Sequence, residues 1–245
     1  MIEKIAKREG FGEKLAQGSY RFAESLGEEA LKLTATVKKQ ELPAHMPQFK
    51  PSVGLIYAVN PFGADHQSSE HDTVLVLPED SLERKRLAKL DINSGYRDTF
   101  TMDQGKVNFA YQTQRYFSML DTLCLCQFVW GASWELFGPD ELIELCKYGI
   151  GWEVSINELL EIGERRINMM RAFNAAEGFT KEDDMLPVKM YVPLKSGPTD
   201  GVVLNKTDHQ SALDMYYDLA GWDKTTGNPT EDTLMKNSLQ WMIRE

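Results

Sequence analysis

Cysteine is scarce in this chain, and long apolar runs are absent. Only Cys124, Cys126 and Cys146 occur among 245 residues. An odd, sparse set of thiols excludes a disulfide framework. It also excludes a self-contained zinc ribbon or all-cysteine iron–sulfur site, each of which needs four thiolates. No apolar stretch approaches the ~18 residues of a membrane span, and the amino terminus, Met1-Ile-Glu-Lys-Ile-Ala-Lys-Arg-Glu, has no apolar core of a signal peptide. Basic residues are outnumbered, 27 Lys+Arg against 37 Asp+Glu, for a formal charge of −10. A chain so charged is a poor ligand for phosphate backbones. These absences point to a cytoplasmic protein, or a part of one, with neither nucleic acid nor membrane as partner.

What is present is mostly helical periodicity. The pattern predicts helices over 1–9, 13–26, 51–60, 78–92, 106–120, 139–148, 156–176, 209–220 and 231–242. Pro139 stands at a first helical position. Ser155 and Glu158 form a capping box, and Asp208 and Thr230 are candidate caps. The alternating, β-branched residues 31–37 predict one short strand. Residues 43–61, punctuated by Pro43, Pro47, Pro51 and Pro61, and residues 178–208 read largely as loop. The expected architecture is mainly α, with no sheet beyond two or three short strands and with long loops.

Several clusters carry possible chemistry. Asp121-Thr-Leu-Cys124-Leu-Cys126-Gln-Phe128 sets a carboxylate five residues before a thiol, although two cysteines at this spacing by themselves read first as packed core thiols. His66, in Gly63-Ala-Asp-His66, lies on a Gly/Pro-shaped loop and is open to acid–base work, metal ligation or a purely structural turn. The pair His66 and His71 has no evident third metal ligand. The acidic stretch Glu177–Asp184 lacks the spacing of a calcium loop and reads as a solvated loop pairing with Arg171 or Arg166. Gly221-Trp-Asp223 with Gly227-Asn-Pro-Thr230 reads as a helix stop, an aromatic anchor and a cap.

Taken in order, these segments resemble the C-terminal part of the aldehyde ferredoxin oxidoreductase family, tungsten or molybdenum bis-pterin enzymes. Arg8-Glu-Gly10 with Leu15-Ala-Gln-Gly18 is similar to the family's "REGIGDLLAEG". Asp121-Thr-Leu-Cys124-Leu-Cys126-Gln-Phe128 is similar to "DSLGLCxF". Ile162-Gly-Glu-Arg165, Phe173-Asn174, Glu177-Gly-Phe179, Asp183-Asp184 and Leu186-Pro187 follow a further family pattern. The resemblance runs from about residue 2 to 235. It implies the helical fold of the family's domains 2 and 3, with residues 1–50 ending the second domain and 51–245 forming the third. The N-terminal pterin-binding domain would be absent, since family members are more than twice as long.

The resemblance also implies roles. Cys126 corresponds to one ligand of a [4Fe–4S] cluster whose other ligands lie outside this chain. Asp121 corresponds to a carboxylate that accepts hydrogen bonds from a pterin ring, and Leu125 to a backbone contact with that pterin. His66 corresponds to a catalytic histidine near the metal. The implied partners are the missing N-terminal half, ferredoxin as electron acceptor, a small aldehyde substrate and a second copy in a homodimer. The isolated chain is expected to carry no cofactor and no activity. Two departures stand out. The motif glycine is Cys124, and a basic residue two positions after the histidine is Ser68. They leave open an alternative: a non-catalytic binding or scaffold domain of the same fold that has lost the metal site.

Overall fold

In the computed structural model, residues 1–93, 95–133 and 136–243 are described. Among them are twelve α-helices and a single two-stranded antiparallel sheet, the mainly α architecture that the periodicity predicts. Short helices α1 (Ile2–Ala6), α2 (Phe11–Ala16), α3 (Ser19–Glu24) and α4 (Glu28–Leu31) precede the hairpin of β1 (Thr36–Val37) and β2 (Gln40–Glu41). Then come α5 (Pro51–Val59), α6 (Leu82–Ala88), α7 (Gln104–Thr122), α8 (Gln127–Trp130), α9 (Pro139–Ile150), α10 (Ile156–Ala176), α11 (Lys206–Ala220) and α12 (Glu231–Lys236). No described helix is long and apolar enough to cross a membrane.

The scaffold is built on α5, α7, α10 and α11. Every residue of α5 is buried, as its apolar run without a polar face requires. Pro51 opens it at a position whose N–H would have no helical partner. The two long helices α7 and α10 pack along each other. At their crossing Gly163 faces the Arg115 carbonyl so closely that a Cβ there would lie 1.8 Å from the oxygen. Two apolar clusters flank this pair. One gathers α5, α11 and Trp222, and the other gathers Phe109, Tyr116 and Phe117 of α7 with α9 and the start of α10. The loop 178–208 contributes three short 3-10 turns and anchors Leu186, Met190 and Leu204 in the first cluster.

Local sequence signals correct several predicted boundaries. The helix expected over 13–26 is two helices, because Gly18 takes φ +85° and redirects the chain between α2 and α3. The strand expected over 31–37 is reduced to Thr36–Val37. Its first part is helical, with Glu28 and Glu29 in the favourable first turn, and Leu33 is 78% exposed, so the alternation buries no face. The helix expected over 78–92 starts only at Leu82, where Ser81 accepts from the Arg84 N–H. The helix predicted from 209 begins at Lys206, capped by Asn205 rather than Asp208. The last helix stops at Lys236, and Ser238 has φ +58°. The capping box of Ser155 and Glu158 is present.

The acidic stretch ends in a different environment from the solvated one expected. Asp184 is fully buried. It takes both ends of the Arg171 guanidinium, at 2.7 and 2.9 Å, together with Lys38 at 2.6 Å and the Tyr217 hydroxyl at 2.7 Å. One carboxylate thus ties the β-hairpin, α10, α11 and the loop after α10.

Candidate active site

The turn between α7 and α8 presents the predicted carboxylate and thiol. Helix α7 ends at Thr122, and the chain reverses through Cys124 with φ +56°. The Cys124 N–H donates to the Asp121 carbonyl, and the Leu125 N–H to the Leu120 carbonyl. This is the left-handed conformation that the motif glycine would adopt freely, here held by a cysteine. Cys124 and Cys126 are both exposed, which corrects the reading of packed thiols, whereas Cys146 is buried in the second core. Cys126 stands at the first position before α8, with an extended backbone. Leu125 between them is half-buried, and its N–H donates to the Leu120 carbonyl.

Asp121 remains accessible. Arg166 of α10 lies 3.2 Å from one carboxylate oxygen and Gln127 donates to the other at 3.4 Å. Partial burial raises its pKa, and the Arg166 guanidinium opposes that rise. Phe128, just beyond, is 55% exposed. An exposed carboxylate and an exposed thiol on one tight turn form a donor set suited to the edge of a heterocycle and to iron.

His66 comes from the loop that follows α5. Asn60 shapes this loop by donating to the Gly63 carbonyl and to Ser68 Oγ, and Asp65 accepts from the Gln67 N–H and the Ser68 hydroxyl. Ser68 is therefore buried and internally satisfied, not a replacement for the basic residue of the resembling motif. Ser68 and Asp121 line one narrow crevice with Arg166. His66 and Phe117, one turn before Asp121, line a separate cavity of about 400 Å³. The loop and the end of α7 are therefore neighbours. His66 Nδ1 is buried and has no hydrogen-bond partner among the described residues, unlike a loop histidine held in place by its own bonds.

The structure adds His45 and Lys50 to the pair of His66 and His71. The rings of His45, His66 and His71 cluster, with centroids 4.8, 4.5 and 6.1 Å apart. Lys50 Nζ, at the start of α5, lies 3.1 Å from His45 Nδ1 and 2.8 Å from His71 Nδ1. An ammonium only donates, so both Nδ1 atoms accept. His71 Nε2 then donates to the His66 carbonyl at 2.9 Å. Burial, reinforced by the neighbouring ammonium, pushes the pKa of His45 down to about 4, and burial also lowers those of His71 and Lys50. Among the described residues no three His, Cys, Asp or Glu side chains have the arrangement to hold a metal ion. The available signal was that three of the four histidines lie between residues 45 and 71. Glu70, also unforeseen, is buried in the cavity wall, and its carboxylate accepts from the Ser133 N–H and hydroxyl. Burial raises its pKa.

Comparison with known proteins matches the same segments. The model of the family described as aldehyde ferredoxin oxidoreductase, domains 2 and 3, matches residues 1–239. A tungsten-containing aldehyde ferredoxin oxidoreductase of Pyrococcus furiosus is 34% identical over 233 residues, covering 94% of this chain and 34% of the relative. The protein of the same name from Pyrococcus abyssi is 32% identical over 245 residues, covering 99% of this chain and 36% of the relative. The chain thus spans about a third of the length of these relatives. Among solved structures, the active-site complex BamBC of benzoyl coenzyme A reductase, in complex with 1,5-dienoyl-CoA, superposes with a TM-score of 0.70 at 21% identity. That match covers 98% of this chain and 38% of that one, a likeness of fold alone. With a family match running from the first helix past α12, this chain belongs to the aldehyde ferredoxin oxidoreductase family and carries its domains 2 and 3.

Proposed function

We propose that this chain supplies the C-terminal part of an enzyme that oxidises an aldehyde and water to a carboxylic acid, releasing two electrons and two protons. Residues 1–50 would close the family's second domain and 51–245 would form its third. The observation that carries the reading is the turn after α7, where Asp121 and Cys126 are exposed on a backbone that is left-handed at Cys124, the position of the motif glycine.

The donor chemistry suits the implied groups. A bis-pterin tungsten or molybdenum centre would supply the two-electron oxidation, with a [4Fe–4S] cluster carrying electrons onward to ferredoxin. Cys126 would provide one thiolate to the cluster, the others coming from outside this chain. Asp121 would accept from the N–H edge of a pterin, with Arg166 holding its second oxygen and fixing its orientation. The Leu125 carbonyl would add a further acceptor. His66, with an unpartnered buried Nδ1, would accept a proton at that atom as the aldehyde is hydrated and oxidised. Phe117, Val74 and Leu77 would keep water away from the apolar side of the cavity beside it.

The test is production of the chain alone and together with the remaining two-thirds that its relatives carry. Alone, it is expected to bind no stoichiometric iron, because one cluster thiolate does not replace four. Together, the assembly is expected to carry a cluster by iron analysis and electron paramagnetic resonance, and to oxidise small aldehydes. Cys126→Ala should lose the cluster, whereas Cys146→Ala, at a buried sulfur, should keep it. A cluster that survives Cys126→Ala would sink the assignment. The scaffold reading, favoured by the inward-turned Ser68, requires that the assembly bind neither cluster nor pterin.

A further inference from the structure

Cys124 and Cys126 are both free and exposed, whereas Cys146 is buried. Leu123 and Leu125, which alternate with them, are half-buried and pack against the second apolar cluster. The leucines of this turn therefore face the core, and its two cysteines face solvent together. Backbone bonds hold the arrangement on both sides. The Cys124 and Leu125 N–H groups donate to carbonyls of α7, and the Cys126 carbonyl accepts from the Val129 and Trp130 N–H groups of α8. Cys124 sits at φ +56°, a conformation that glycine adopts without strain. The side chain kept there instead is a thiol, two residues from another thiol.

Chain geometry limits what two such sulfurs can do. Residues two apart are separated by at most about 7 Å at Cα. A direct S–S bond, about 2.05 Å long, draws its Cα atoms to about 5.5–6 Å. An ion held between two thiolates spans up to about 4.6 Å from sulfur to sulfur, twice a metal–sulfur bond of about 2.3 Å. It asks for less contraction of the turn. Thiolates select soft ions, and Cu(I) accepts two of them in a line. Two donors are what the turn offers: among the described residues no three His, Cys, Asp or Glu side chains are arranged to hold a metal ion. We propose that Cys124 and Cys126 form a two-thiolate site for a soft monovalent cation, of which Cu(I) is the type. Cys126 is the thiolate that the aldehyde-oxidising reading gives to the cluster, so an ion held by the pair withholds it from iron. Only this consequence rests on that reading.

The binding test needs no cofactor. The reduced 245-residue chain is titrated without oxygen against the Cu(I) complex of bathocuproine disulfonate, whose absorbance falls as the protein takes the ion. One Cu(I) is expected per chain, with the chain still a monomer by native mass spectrometry. Cys124→Gly, which suits the backbone, should weaken Cu(I) at least about 100-fold, because the second thiol then no longer acts within the same molecule. Cys126→Ser should do the same, and Cys146→Ala should bind as the parent does. Cys124→Gly decides the matter if Cys126→Ser fails to fold. No transfer of Cu(I), one ion shared between two chains, or Cys124→Gly that binds as tightly overturns the proposal. When the rest of the enzyme is then added, the Cu(I)-loaded parent should take up at least about tenfold less cluster iron than Cys124→Gly treated alike. Tight Cu(I) binding with undiminished cluster iron would count against Cys126 as cluster ligand and not against this site.

Discussion

Cys124 shows how a single residue carries the cost of a turn. It is a non-glycine residue at φ +56°, in the turn that exposes Asp121 and Cys126. A side chain in this conformation costs roughly 1–2 kcal/mol. Cys124→Gly is therefore expected to stabilise the chain by about 1 kcal/mol, less the entropy that glycine adds to the unfolded state, as read by denaturant unfolding. Cys124→Val should destabilise it, because a β-branched residue fits that region worst. A second residue-scale prediction concerns the histidine cluster. His45, held near pKa 4, and His71, also lowered, bind fewer protons in the folded chain than in the unfolded chain. Stability gained from their neutrality is present above about pH 6.5 and falls as pH drops toward 4. Thermal unfolding followed across that window should show the decline, and His45→Gln should flatten it. An equal slope in His45→Gln would mean that other groups dominate.

At the scale of elements, the crossing of α7 and α10 decides where the site's parts stand. Asp121 and Phe117 are on α7 and Arg166 is on α10, so the spacing of these helices sets the distance between carboxylate and guanidinium. Gly163 permits the close approach, and Ser118 fixes it by donating to the Gly163 carbonyl at 3.0 Å. Gly163→Ala puts a methyl group against the Arg115 backbone. We expect a loss of about 3 kcal/mol in denaturant unfolding, far beyond the slight gain that alanine brings to an open helix. A neutral result would show that the helices can separate without penalty. The capping box of Ser155 and Glu158 and Pro51 act at the same scale. They set where α10 and α5 begin, hence where Arg166 and Lys50 sit, and both were readable from short-range residue order.

Across the whole molecule, Asp184 joins segments that lie far apart in sequence. Lys38, Arg171 and Tyr217 converge on it, and Lys38 and Arg171 are themselves buried. Burial lowers the pKa of Lys38, with the Asp184 carboxylate opposing that fall. Removing the carboxylate leaves two cations in the interior. Asp184→Ala is expected to cost about 4 kcal/mol, whereas Glu182→Ala, on the exposed part of the same stretch, should change little. The measurement is again the unfolding midpoint. Equal effects would show that the network carries no special weight. Exposed apolar residues also have meaning at this scale. Phe62, Phe173 and Trp241 line one apolar hollow in a chain that spans about a third of its relatives' length.

The sequence by itself determined the mainly α class, the long helices α7 and α10, the caps at Ser155 and Thr230, and the family to which the chain belongs. These follow from periodicity and from ordered motifs, which are properties of neighbours along the chain. It also singled out Asp121, Leu125, Cys126 and His66, and marked Cys124 as standing where a glycine was expected. Tertiary structure alone decided that Cys124 and Cys126 face outward while Cys146 is buried, and that Asp184 is buried rather than solvated. It also brought His45 and His71 around Lys50 beside a cavity. No local rule relates residues 45, 50, 66 and 71, which meet only because α5 is buried on every side and the loop after it folds back over its start. Cavities and side-chain clusters arise from such long-range closure, so neither can be seen from order along the chain.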